Sequence, residues 1–192
     1  MKAVMETVFS VLAGLGLAAA CGFRVFVPLL VASVAVQAGY LQPAPEFAWL
    51  GTTPALVTFG VATAMEVGAY YVPWLDHALD TLASPASVVA GALVAASVAI
   101  DMDPFARWTL AIVAGGGLAA TVQAGTVAAR GLSLATTAGA GNPAVATAEL
   151  GGALATSAIS VVAPGLAILG LVALGLLLTT AWLRRRRAGS GT

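Results

Sequence analysis

Seven apolar runs divide the chain, at about 4–20, 23–40, 54–73, 86–101, 105–129, 143–162 and 164–183. Most are close to the roughly 20 residues that a helix needs to cross about 30 Å of hydrocarbon. They are rich in Ala, Leu, Val and Gly and lack the strict alternation of a membrane barrel strand, so each reads as a helix. Glycine, proline and charge mark the breaks. Cys21-Gly22-Phe23-Arg24 is short enough for a tight turn. Residues 41–53 carry Pro43, Pro45, Trp49 and Gly51 and read as an interfacial loop, and 130–142 reads as a Gly/Thr/Ala connection ending in Asn142-Pro143, a helix start with proline in its first turn. Trp49, Trp74, Trp108 and Trp182 fall near predicted ends, as an aromatic belt requires. Asp101 and Asp103, just before Pro104, read as a turn and a helix cap.

Composition turns this pattern into a class. The chain is 60% hydrophobic and only 8% charged, against roughly 25% charged in soluble domains. Too few polar groups exist to cover a water-exposed surface, whereas a lipid-facing surface needs none. The predicted fold is an all-α polytopic membrane protein of about seven transmembrane helices, with the lipid bilayer as its first partner. Eight basic residues balance eight acidic ones, so no global basic field points to nucleic acid. A single cysteine, Cys21, excludes an internal disulfide and a cysteine metal cluster.

Lys2 followed by an apolar run to Cys21 has the outline of a secretory or lipoprotein signal. Ala18 stands where a lipoprotein signal has a larger aliphatic residue, and the reading adopted is a retained first helix. With the amino terminus outside, Arg24, Arg130 and Arg184 to Arg187 are cytoplasmic, and only Lys2 and Arg107 lie outside. A six-helix arrangement with the amino terminus inside is the rival. Both make the Arg184–Arg187 tail a cytoplasmic stop-transfer anchor, in a multi-pass protein of the cytoplasmic (inner) membrane.

An internal repeat refines the architecture. Val36-Gln37-Ala38-Gly39 returns as Val122-Gln123-Ala124-Gly125, Val61-Ala62-Thr63-Ala64 as Val145-Ala146-Thr147-Ala148, and Glu66-Val67-Gly68 as Glu149-Leu150-Gly151, at offsets of 86, 84 and 83. Arg24 and Arg107 also stand 83 apart. The order and spacing predict a three-helix repeat over 1–85, a second over 86–163, a seventh helix at 164–183 and a basic tail at 184–192. Three helices per half insert the second half upside down, the inverted arrangement common in transporters.

The chemistry concentrates in a few residues. Glu66 and Glu149 lie inside predicted spans, where an ionised carboxylate is costly unless paired, protonated or hydrated. Their places put both in the middle third of the bilayer, able to share a cation or a proton. Gln37 and Gln123 are their expected polar supports, and Arg24 and Arg107 their charge partners or gates; structural pairing with those same residues is the plainer reading. Asp76, His77 and Asp80 form a second candidate, a cation entry site or proton relay, or simply the wet face of an interfacial helix. Gly115-Gly116-Gly117 sits mid-helix and reads as close packing or a local unwinding. No nucleophile–base pair, cofactor motif or phosphate loop is present, and the sequence assigns no metal.

Gly22-Phe23-Arg24-Val25-Phe26-Val27-Pro28, the run from Glu66 to Pro85, and Gly141-Asn142-Pro143 through Gly152 together resemble a bacterial family of small integral membrane proteins filed as a domain of unknown function. The resemblance covers about residues 10–165 and implies a multi-helix membrane protein without an activity. Glu66-Val67-Gly68 and Glu149-Leu150-Gly151 are also similar to the Glu-x-Gly-Asp motifs of inverted-repeat cation/proton exchangers, in the group that includes lysine exporters. Ala69 and Gly152 replace the aspartates, which weighs against a divalent metal substrate. The expectation is therefore a non-enzymatic secondary transporter or exporter of a small solute or ion, coupled to protons or cations through the paired glutamates. The alternatives are a lipid-handling flippase, with Arg24 and Arg107 meeting an anionic isoprenoid or phospholipid, and a non-transporting scaffold. Small-residue faces leave room for a homo-oligomer.

Overall fold

The computed structural model describes residues 2–70 and 73–189, and the side chains of these except at 3, 73–80, 174, 178 and 181–189. The described chain is helical, with no strand. Its elements are α1 (Lys2–Cys21), α2 (Phe26–Gln37), a 3-10 segment (Pro45–Gly51), α3 (Thr53–Ala69), α4 (Pro73–Val98), α5 (Pro104–Leu110), a π-helical turn (Ala111–Gly116), α6 (Gly117–Thr137), α7 (Asn142–Val162) and α8 (Pro164–Gly189).

Local sequence accounts for the boundaries. Thr52 caps α3 through the Ala55 N–H, and Asp103 caps α5 through the Ala106 N–H at 3.0 Å, with a proline in the first turn in each case. Pro73, Pro143 and Pro164 each stand at or next to the start of a helix. Asp101 adopts positive φ in the turn before α5.

Four stretches are long and apolar enough to cross a bilayer: Val4–Cys21, Thr81–Val98, Pro104–Thr137 and Asn142–Val162. A fifth exists if Pro45–Gly51 and Thr53–Ala69, bent by 66°, count as one broken span. This is the architecture of a multi-pass membrane protein, and exposed Val57, Val61, Met65, Leu166 and Leu169 are suited to lipid contact. Three expected extents change, the first being the run expected at 86–101, which lies in a helix starting at Pro73. The run at 23–40 yields only the 12-residue α2, about 18 Å long, because the Arg24 turn delays its start and positive-φ Gly39 follows its end. The expected connection at 130–142 is mostly helix. α6 continues to Thr137, and the link shrinks to 138–141, where Ala138 and Gly139 adopt positive φ.

The centre of the bundle is the second half of α1. Ala13, Leu17, Ala18, Ala19, Ala20 and Cys21 are fully buried, and α1 touches α2, α4, α6, α7, α8 and the π turn. Small residues allow this closeness. A Cβ on Gly91 would lie 2.6 Å from Ala119 Cβ, and one on Gly115 would lie 2.7 Å from Ala95 Cβ and 3.0 Å from the Gly91 carbonyl oxygen. Gly115 and Gly116 thus sit in a π turn packed face to face with α4. Gly115→Val is expected to cost about 1–3 kcal/mol through overpacking, read as a lower melting midpoint in detergent. Gly117→Ala, where a Cβ meets nothing, is expected to leave the midpoint unchanged or raise it.

Candidate functional site

Four segments converge on one group of buried charges. α1 ends in a turn whose amides bond back to Ala19 and Ala20, and this delivers Arg24 just before α2. The tight chain reversal fits because Gly22 has no side chain. A Cβ there would lie 2.5 Å from the Ala119 carbonyl oxygen and 2.9 Å from the Gln123 nitrogen on α6.

The first amides of α2 have no carbonyl within their own helix. Glu66, three residues from the end of α3, supplies the missing acceptors: the Val25 N–H donates to Oε1 at 2.7 Å and the Phe26 N–H to Oε2 at 3.1 Å. A carboxylate at a helix N-terminus is also favoured by the helix dipole. Glu66 therefore caps a helix other than its own, and it lies in the field of Arg24 and Arg130.

Glu149 comes from α7. Arg130 of α6 grips it with a fork, Nε donating to Oε1 at 2.9 Å and Nη2 donating to Oε2. Arg24 Nη2 faces the same Oε2 at 3.5 Å and donates to the Ala146 carbonyl at 2.8 Å. Tyr70, directly after α3, carries both cations on its ring, with Arg24 Cζ 3.8 Å and Arg130 Cζ 4.0 Å from the centroid. Arg24, Tyr70, Glu66, Arg130 and Glu149 are all buried. Among these groups two positive charges meet two negative ones.

The sequence-predicted residues divide accordingly. Arg24, Glu66 and Glu149 come together. Gln123 is buried on α6, at the height where Gly22 packs. Gln37 is exposed at the end of α2 and supports neither glutamate. Arg107 is engaged elsewhere. It forms an ion pair with Glu46 of the 3-10 segment and donates to the Met102 carbonyl at 3.1 Å, so its carboxylate partner is neither Glu66 nor Glu149. Along their own helices the two glutamates stand at different distances from the nearer end. Glu66 is about 5 Å from the end of α3 and Glu149 about 10 Å from the start of α7. The side chains of Asp76, His77 and Asp80, and of Arg184 to Arg187, lie outside the described residues.

Sequence reading passed over Arg130 and Tyr70. From the sequence Arg130 reads as a cytoplasmic charge in a connection, yet it is buried against Glu149. The available signal was its spacing. Arg130 and Glu149 are equidistant from the 138–141 turn, so an antiparallel hairpin sets them level.

Among the described residues no three His, Cys, Asp or Glu side chains cluster as metal ligands. A cleft of about 500 Å³ opens at the opposite end of the bundle, beside Lys2, Glu6, Tyr40 and Gln42, and none of the predicted site residues lines it. Compared with known proteins, residues 11–186 match the family described as Domain of unknown function (DUF4126). No curated protein and no solved structure matches the chain.

Proposed function

Since the chain belongs to that DUF4126 family of unknown function, whose description supplies no activity, we propose a function from the buried cluster itself: secondary transport or export of a small solute or ion, coupled to protons through Glu66 and Glu149. The observation that carries this reading is the network of Arg24, Glu66, Arg130 and Glu149 inside an apolar helical bundle. Burying four charges is expensive even when they are paired, and apolar side chains would hold the same helices together at less cost. Charges kept at such a place are suited to moving a charge.

Glu66 is the natural coupling element. Ionised, it holds the start of α2 through two amides. On taking a proton it becomes a weaker acceptor, and α2, short and broken from its neighbours, is released to shift. The bent pair at 45–69 and the π turn add further interruptions, and broken helices are a recurring feature of transporters. The 83-residue offsets between Arg24 and Arg107 and between Glu66 and Glu149 support an inverted three-plus-three arrangement of seven spans.

The test is proton movement in liposomes holding the purified full chain and a trapped pH dye. Gradients of sodium, potassium, inorganic phosphate and succinate are imposed in turn. At least one gradient is expected to drive proton flux that Glu66→Gln reduces to the level of protein-free liposomes. Absence of flux under every gradient, or undiminished flux in Glu66→Gln, would overturn the proposal.

A further inference from the structure

Arg24 is 1% exposed, the deepest of the described charged residues. Its Nη2 is occupied by the Ala146 carbonyl and Glu149, and one face of its guanidinium lies on Tyr70. Its Nε and Nη1 have no acceptor. Those two atoms carry three N–H donors, and guanidinium does not deprotonate in proteins. Neither glutamate lends them an oxygen. Glu149 is held by Arg130 through both of its oxygens, and Glu66 gives both of its own to the start of α2.

We propose that the Nε and Nη1 donors of Arg24 are the recognition group for a small oxyanion, a carboxylate or a phosphate, which completes the buried cluster. The inference rests on the transporter reading and names the substrate class of that site. Unmatched donors on a buried cation cost more than those on any neutral group, and an oxyanion offers several acceptor oxygens in one compact group. Tyr70 and the Ala146 carbonyl fix the guanidinium plane, so its open donors keep one direction. The adjacent donors of Arg24 suit a pair of acceptor oxygens on one group, and a cation would meet them head-on.

The chain provides its own reporter. Cys21 is the single cysteine, and it is buried, so a thiol-reactive dye labels it only as the bundle opens. Binding to the folded state raises the melting midpoint. With the full chain in phosphatidylcholine nanodiscs, inorganic phosphate or succinate is expected to raise the midpoint while chloride at equal ionic strength does not. Arg24→Lys is expected to weaken that effect about tenfold or more, whereas Lys2→Gln, on the exposed start of α1, retains it. A further arm replaces part of the phosphatidylcholine with phosphatidylglycerol. Stabilisation there alone places the oxyanion on a lipid headgroup, and stabilisation by the soluble anions places it on a free solute.

If Arg24→Lys does not fold, the Nε resonance of Arg24 in the parent protein reports directly, and it is expected to shift on adding the anion that stabilises. No difference between oxyanions and chloride, an unshifted Nε, or undiminished binding by Arg24→Lys would overturn the inference. Oxyanion binding without coupled proton flux leaves it standing and removes the transporter reading. Proton flux without any oxyanion effect does the reverse.

Discussion

Glu149→Ala is expected to lower stability by about 3–5 kcal/mol, the usual cost of removing one partner from a buried ion pair. For a chain of this size that is a fall of roughly 6–20 °C in melting midpoint. The loss is large because one carboxylate faces two guanidiniums: the fork from Arg130 and the Nη2 of Arg24 both converge on it. Truncation leaves both cations in a low-dielectric interior without that counter-charge. The cost is one of isolation, so removing a cation with the anion should return part of it. Arg130→Met combined with Glu149→Met is expected to melt above Glu149→Met alone, because well-packed apolar pairs often match buried ion pairs. A Glu149→Ala protein melting within about 2 °C of the parent would show that the pair contributes little.

Glu66→Ala is the second large effect, and it is local. The amides of Val25 and Phe26 lose their acceptors together, and a charged cap on two buried donors is worth about 2–4 kcal/mol. Hydrogen exchange at those two amides is expected to accelerate sharply, while exchange along 81–98 of α4 stays at its parental rate. Glu66→Gln keeps one acceptor oxygen and is expected to lose about half as much. Equal protection of Val25 and Phe26 in all three proteins would mean that α2 does not depend on Glu66.

The helical class and the placement of most elements were legible because apolar length and proline or glycine punctuation report directly on a bilayer-spanning helix. Asp103 before Pro104 and Asn142-Pro143 mark starts that the helices adopt. The length of α2 was not legible, since its amino end is defined by a carboxylate 40 residues further on, a contact that no local pattern records. The extent of α6 was hidden by its composition. Ser133, Thr136 and Thr137 look like loop residues, yet the Thr136 and Thr137 hydroxyls bond back to the Leu132 and Ser133 carbonyls of the same helix. That concealed Arg130 as well, because a residue assigned to a connection is not sought as a buried partner. Glu66 and Glu149 stood out for a simpler reason: a carboxylate in an apolar run demands a compensating group. The identity of that group depends on which helices pack together. Arg24 meets the demand for Glu149, and Arg107, 83 residues further on, does not.

The spacing of these contacts also sets an order of events during synthesis. Arg130 and Glu149 are 19 residues apart, so their hairpin can enter the membrane with its charges already neutralised against each other. Arg24 waits for Ala146, 122 residues later. At about 5–20 residues per second that is a delay of roughly 6–24 s, during which the nascent chain carries a cation with no final home. Glu66 emerges after about a third of that interval, and its binding to Val25 and Phe26 holds the Arg24 turn in shape until α7 arrives. The hairpin of α6 and α7 therefore closes a site whose first half α3 already holds.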